Sequence, residues 1–504
     1  MAKPMTMVLL AAWCGLAAPA TWAQAGATLT SNGVSASMPR KAVTRHEITI
    51  AGRRVAYTAT AADDIIAGGD GRPGAAIVTI AYTRDGSTDP AQRPVMFLFN
   101  GGPGASSSPL HMSALGPVRR VSGDKADRSS SAFTANGDSP IDSFDLVFID
   151  PVSTGFSRVL PGIDPRQWYS GRRDAIEVGR VIEDWLVANG RSASPRFLAG
   201  ESYGTTRAGL ILKYCPELKF AGVVLISGGE QDASGPDARY IDSLPPMAAG
   251  AYFHDRIDRT GRTVEAVVEQ ARRFGRGEYA AALAQGKSLE PAERHQVAQQ
   301  LSFLIGLPAA LIEQQDLRIS DNTYMFNLLR DRGLRTGLLD VRTTAPLLAN
   351  AAGAIDDPAL GVVKPSAHTT KRPTPQAVGA VGSPAVAKYL REQLGFKSDD
   401  PYIGVNFTAN VAWKYDRKSG STATLVARRM RTDSAMRLLA VAGFYDLNGG
   451  GDGSGFVRAG VPRGRLSFIA FPGGHEVYDD DANRAHFAAA LRAFVRDSVS
   501  MPLH

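Results

Sequence analysis

The sequence predicts an α/β fold: a mainly parallel sheet with helices on both faces, interrupted by a long helical insertion. Three observations predict it. Short apolar runs alternate with helical segments through the first half of the chain. One run, Arg196-Phe197-Leu198-Ala199, leads into Gly200-Glu201-Ser202-Tyr203-Gly204 and then an apolar helical stretch, a strand, sharp turn and helix with a serine at the tip. The alternation stops after Gly229 and returns near Met436.

The elements follow in order. The N-terminus reads as a secretory signal over residues 1–25. Lys3 supplies a basic start, Met7 to Ala18 is mostly apolar, and Thr21-Trp22-Ala23 and Ala23-Gln24-Ala25 offer small-x-small cleavage sites. An exported protein, periplasmic or secreted, is therefore expected. Cys14 lies in the apolar run, but Trp13 before it is too bulky for a lipid-attachment site. No later stretch reaches the ~18 apolar residues of a membrane span, so no membrane anchor is expected. Strands are expected over His46 to Thr58, Ala76 to Tyr82, Arg93 to Phe99, Phe144 to Asp150, Arg196 to Ala199 and Phe220 to Ile226. Arg173 to Asn189 has helical period, with Ile176, Val178, Val181, Ile182, Trp185 and Leu186 on one side. Residues 26–229 thus form the first part of the sheet domain. Residues 230–430 read as a mostly helical insertion, with helices over Thr263 to Arg273 and Pro291 to Leu304 and a Pro/Thr-rich loop over Lys364 to Pro384. Residues 431–504 complete the domain with strands over Met436 to Ala442 and Arg465 to Ala470 and a helix over Ala482 to Val499. No internal repeat is present.

Composition narrows the function classes. The 504 residues are 44% hydrophobic and 21% charged, an ordinary globular balance. The net charge of +7 contains no long Lys/Arg run, so no nucleic-acid partner is expected. Once the signal is removed one cysteine remains, Cys215, which excludes an intramolecular disulfide and reads as a small buried hydrophobe.

The serine turn carries the chemistry. A serine hydroxyl is a weak nucleophile until a positioned base activates it, and the base needs an orienting carboxylate. With Ser202 as nucleophile, these follow in the order Ser, Asp, His on loops after late strands. One late strand ends in Gly443-Phe444-Tyr445-Asp446-Leu447 and the other in Phe471-Pro472-Gly473-Gly474-His475-Glu476-Val477. Downstream of Asp446 lie His475, His486 and His504; His486 falls in the terminal helix and His504 ends the chain. Asp446 and His475 are the expected acid and base, with Asp452 as the alternative acid. The oxyanion hole needs backbone N–H groups. Tyr203, directly after the serine, should give one. Gly102, in the turn Asn100-Gly101-Gly102-Pro103-Gly104, should give the other. No Gly-Lys-Ser/Thr follows that turn, so it does not read as a phosphate loop. No cofactor or metal is expected.

The chain resembles the serine carboxypeptidases, in particular exported members of bacterial type. The matching pieces are Asn100 to Ser107, Leu115-Gly116-Pro117, Asp150-Pro151-Val152-Ser153-Thr154-Gly155-Phe156-Ser157, Gly200 to Gly204, and Gly474-His475-Glu476-Val477. The resemblance implies an α/β-hydrolase fold with a helical insertion between nucleophile and acid. It implies a peptide substrate and triad roles for Ser202, Asp446 and His475. It also implies an oxyanion hole at Gly102 and Tyr203, and binding of the substrate's terminal carboxylate by Asn100, Gly101 and Glu201. A further family glutamate falls at Ala114, and the family's cysteine in the first motif is Ala105. An esterase or acyltransferase with the same triad is the alternative function. The loop Asn448 to Gly455 reads as flexible. Leu244 to His254 reads as a core helix, with a place in a side-chain pocket as the second option.

Overall fold

The computed structural model describes residues 39–87, 89–121, 132–230, 235–347, 357 and 379–499. The expected signal, residues 1–25, and most of the Pro/Thr-rich stretch lie outside the described residues.

The main sheet is built from β1 (Lys41–Ile50), β2 (Arg53–Ala67), β3 (Pro73–Arg84), β4 (Val95–Phe99), β5 (Asp145–Asp150), β6 (Arg196–Glu201), β7 (Gly222–Ile226), β8 (Arg437–Gly443) and β9 (Leu466–Phe471). Their order is β1-β2-β3-β5-β4-β6-β7-β8-β9, with the short strand Arg158–Val159 paired to β3. From β5 onward neighbouring strands are parallel. β4 and β7 are buried at every residue, as a strand covered on both faces must be.

One expectation changes here. The single strand over His46 to Thr58 is two strands, because Ala51 and Gly52 both take positive φ (47° and 77°). That is the primed two-residue turn whose twist suits a hairpin, and Ile50 pairs with Arg53 across it. Buried positions fall at Ile48 and Ile50 before the turn and at Val55 and Tyr57 after it, so the alternation breaks over residues 51–54 and resumes in the opposite phase, which is the sign of the turn in the sequence.

Two apolar layers cover the sheet. On one face lie α1 (Gly171–Ala188) and α2 (Tyr203–Tyr214), with Val181, Ile182, Ala208 and Ile211 in the core. The Ser170 side chain caps α1 by accepting from the Arg173 N–H. On the other face lies the C-terminal helix Asp481–Val499, through Phe487, Leu491 and Phe494. A third cluster belongs to the insertion: α3 (Leu244–Phe253), α4 (Val264–Phe274) and α5 (Pro291–Ile305) pack on each other and on Val341. Tyr445 and Leu447, flanking Asp446, join this cluster. Leu244, Met247, Ala248, Ala249 and Ala251 are buried within it, so the Leu244 segment is a core helix.

The insertion divides by packing. The stretch 244–341 forms the separate helical layer. The helices Pro384–Glu392 and Thr422–Thr432 return to the two faces of the sheet through Leu390, Val426 and Met430. Backbone bridges from Val405 to Ala105 and from Ile403 to Gly155 tie this returning segment to the loops after β4 and β5. The later half of the expected 230–430 insertion therefore braces the loop that carries Gly102.

Candidate active site

The turn after β6 is tight because glycine permits it. A side chain at Gly200 would place its Cβ 2.2 Å from the Gly204 carbonyl oxygen. Ser202, between them, is held at φ 58°, ψ −126°, a conformation L-residues rarely adopt. Its N–H donates to the Ile226 carbonyl at 2.9 Å, and its carbonyl accepts from Thr205. These bonds pin the turn to β7 and to the first turn of α2. The Ser202 Oγ is buried and has no hydrogen-bond partner among the described residues.

Asp446 and His475 meet. His475 Nδ1 lies 2.6 Å from Asp446 Oδ2, and both side chains are buried. Asp446 Oδ1 accepts from the Asn448 N–H at 2.9 Å. The His475 backbone is fixed at both ends: its N–H donates to the Leu339 carbonyl and its carbonyl accepts from the Ser227 hydroxyl. A carboxylate at Nδ1 selects the tautomer with its proton there and leaves Nε2 basic. The alternative acid, Asp452, is engaged elsewhere, with Arg276 at 2.7 Å and Arg272 at 3.2 Å. Sequence reasoning did not identify Ser227 or Leu339, because a backbone carbonyl and one serine carry no pattern.

The loop after β4 abuts the serine turn. A Cβ on Gly101 would lie 2.4 Å from the Tyr203 backbone nitrogen. Gly102 follows with φ 98°. The loop is held by Asp150, which accepts from the Ser107 N–H at 2.8 Å, and by Asn410, which donates to the Pro103 carbonyl at 2.9 Å. The expected oxyanion donors thus lie on two backbone segments in contact.

Asn100 and Glu201 also meet. Asn100 Nδ2 donates to Glu201 Oε2 at 2.8 Å, and the Tyr478 hydroxyl donates to the same oxygen at 2.6 Å. Glu201 is fully buried, and burial raises its pKa well above the usual carboxylate range, with Glu476 and Asp446 adding to the rise and the hydrogen bonds from Tyr478 and Asn100 opposing it. The Asn100 carbonyl accepts from Arg207, whose Nε pairs with buried Asp174 at 2.7 Å. Ala114 is buried in the core and contributes no side-chain polar group.

Beside the serine stands an aromatic group not identified from the sequence. Trp413 donates its indole N–H to the Tyr203 hydroxyl at 3.0 Å, and Tyr415 meets the Tyr203 ring edge-on at 5.9 Å. Among the described residues no His, Cys, Asp or Glu group could hold a metal ion. None of the described helices is long and apolar enough to cross a membrane.

A buried His–Asp pair, a strained serine turn and a glycine loop touching that turn suit acyl transfer. Residues 82–213 match the serine carboxypeptidase family model. The matched segment holds the glycine loop and the serine turn, and it makes the chain a serine hydrolase. The acid and base loops lie beyond it. Among solved structures, the chain is similar to Kex1(Δ)p, a prohormone-processing carboxypeptidase from Saccharomyces cerevisiae, with a TM-score of 0.50 at 14% identity, covering 90% of this chain and 91% of that one. It is also similar to an esterase from Rhodococcus sp. ECU1013, with a TM-score of 0.35 at 14% identity over 86% of this chain and 98% of that one. No curated protein matches the sequence. The fold is that of the α/β-hydrolases, and the matched segment forms the centre of its sheet.

Proposed function

We propose that the protein is a serine carboxypeptidase that removes residues from the C-terminus of peptides. The observation that carries this is Glu201: a fully buried carboxyl, whose surroundings favour its protonated form, directly beside the nucleophile. A neutral carboxyl there can donate to a substrate carboxylate, whereas an ionised one would repel it. Asn100 and the Gly101 backbone complete the carboxylate subsite.

In this mechanism Ser202 Oγ attacks the scissile carbonyl carbon and passes its proton to His475 Nε2. Asp446 holds the ring through Nδ1 and stabilises the imidazolium. The N–H groups of Gly102 and Tyr203 receive the oxyanion of the tetrahedral intermediate. The C–N bond then breaks, His475 protonates the departing amine, and an acyl-enzyme ester remains on Ser202. Water, deprotonated by His475, attacks that ester, and its collapse regenerates the serine. No cofactor or metal enters this scheme. An exported location, periplasmic or secreted, follows from the basic, apolar and small-x-small order of residues 1–25, and N-terminal sequencing of the mature protein checks it.

The test compares a blocked dipeptide with a free C-terminus against its C-terminal amide from mildly acid to mildly alkaline pH. The free acid should be strongly preferred at low pH, and its KM should rise as pH increases and Glu201 ionises. Equal KM values for acid and amide at every pH would instead favour the esterase or acyltransferase.

A further inference from the structure

Glu201 is bound asymmetrically. Both of its donors, Asn100 Nδ2 and the Tyr478 hydroxyl, converge on Oε2. Oε1 is buried and has no hydrogen-bond partner among the described residues. Asn100 cannot turn over without loss, because its Oδ1 accepts from the Leu110 N–H at 3.1 Å. The Tyr478 ring is buried and stacks on Phe487 with centroids 6.2 Å apart, so its hydroxyl is held in place by packing.

An oxygen that accepts two hydrogen bonds has little room for a proton of its own. A neutral Glu201 therefore carries its proton on Oε1, the oxygen that still lacks a partner. We propose that Tyr478 is a positioning residue for the carboxylate subsite: with Asn100 it pins the Glu201 proton to Oε1, ready to meet the substrate's terminal carboxylate. The proposal rests on the carboxylate-recognition role given to Glu201 above. It also accounts for Ala114. That position brings no second acid, while Tyr478, in the same buried cluster as Ala114, supplies Glu201 with a hydrogen bond from the base loop.

The charged surroundings set the direction of the pH effect. Glu476 on the base loop and Asp446 on the acid loop oppose ionisation of Glu201, whereas the Tyr478 and Asn100 donors favour it. Arg207 from α2 reaches the Asn100 carbonyl while paired with Asp174, and His475 is tied to Asp446. Removing the Tyr478 hydroxyl takes away a donor to the ionised form. Glu201 should then stay protonated to higher pH.

The experiment measures KM for the matched acid and amide across pH in wild type, Tyr478→Phe and Glu201→Gln, with thermal melting as a check on folding. The readout is the acid-to-amide ratio of KM, which partial unfolding does not change. In Tyr478→Phe the pH at which this ratio climbs should move up by about one unit. Its low-pH value should worsen about fivefold as the proton loses its fixed site. Glu201→Gln should give a flat ratio. A wild-type ratio that climbs with pH, together with an unmoved climb in Tyr478→Phe, would overturn this proposal and leave the carboxylate subsite standing. A flat wild-type ratio would overturn both.

Discussion

At the scale of single residues, the site rests on pairs whose members lie far apart in sequence. His475 with Asp446 and Asn100 with Glu201 are each buried and in hydrogen-bond contact. Ser202→Ala should abolish labelling by a serine-directed phosphonate and lower kcat by on the order of 10⁴-fold or more, with melting unchanged, since only the oxyanion donors remain. Losses of Ser202 and His475 should not multiply, because triad members act as a unit. The double variant should be about as slow as the worse single one; fully multiplicative losses would place His475 outside the reaction. The serine turn and the Asp446–His475 contact were legible because the serine sits between two glycines on a strand–helix turn and because few histidines follow Asp446. Tyr478 was not, since a tyrosine three residues past the base gives no sign of reaching Glu201.

At the scale of elements, two loops set the precision of the site. The Cβ of Gly101→Ala would lie 2.4 Å from the Tyr203 nitrogen, so one backbone segment must move. Displacing an oxyanion donor costs about 10²–10³ in kcat. A fall of that size with an intact circular dichroism spectrum is expected. The second loop is Asn448 to Gly455, which composition marks as flexible. Here it is tied down: Glu230 accepts from the Gly453 and Gly455 N–H groups at 2.8 Å each, and Arg276 donates from the insertion to Asp452. The glycines leave room for that carboxylate: a Cβ on Gly451 would lie 2.0 Å from Glu230 Oε2, so the carboxylate would have to shift. Glu230→Ala should destabilise by about 2 kcal/mol by stranding two partly buried donors. It should lower kcat more than it raises KM, because Asn448 at the start of the loop donates to Asp446. A stability loss with kcat untouched would show that the loop's anchorage does not reach the acid.

At the scale of the whole molecule, the mainly parallel sheet and its two helical layers follow from alternating segments and from runs buried on both faces, which is why the sequence pattern exposed them, whereas the strand order came only from the structure. The first hairpin was missed although the sequence carries its sign: the alternation of Ile48 and Ile50 breaks at Ala51-Gly52 and resumes in the opposite phase at Val55 and Tyr57. The return of residues 384–432 to the sheet was hidden because helices that cap an insertion and helices that brace a sheet share one period. Burial also leaves a pH signature on stability. Asp150 accepts from Ser107 and Tyr402 beneath the glycine loop, and burial pushes its carboxyl up to about 6 against those two bonds. The native state then holds a proton that the unfolded chain has released. The associated stability is complete below the ordinary carboxylate pKa and is lost as pH rises through about 6. Asp150→Asn should gain about 3 kcal/mol relative to wild type between about pH 4 and pH 7.5 in denaturant titrations; a constant difference across that range would contradict the assignment. The central claim, hydrolysis from the C-terminus by Ser202, is tested most directly by mass spectrometry of a peptide digest over time. A free-acid peptide should yield a ladder of single-residue losses from its C-terminus, its amidated twin should stay intact at the same enzyme concentration, and Ser202→Ala should leave both untouched. Internal cuts, or equal trimming of the amidated peptide, would contradict it.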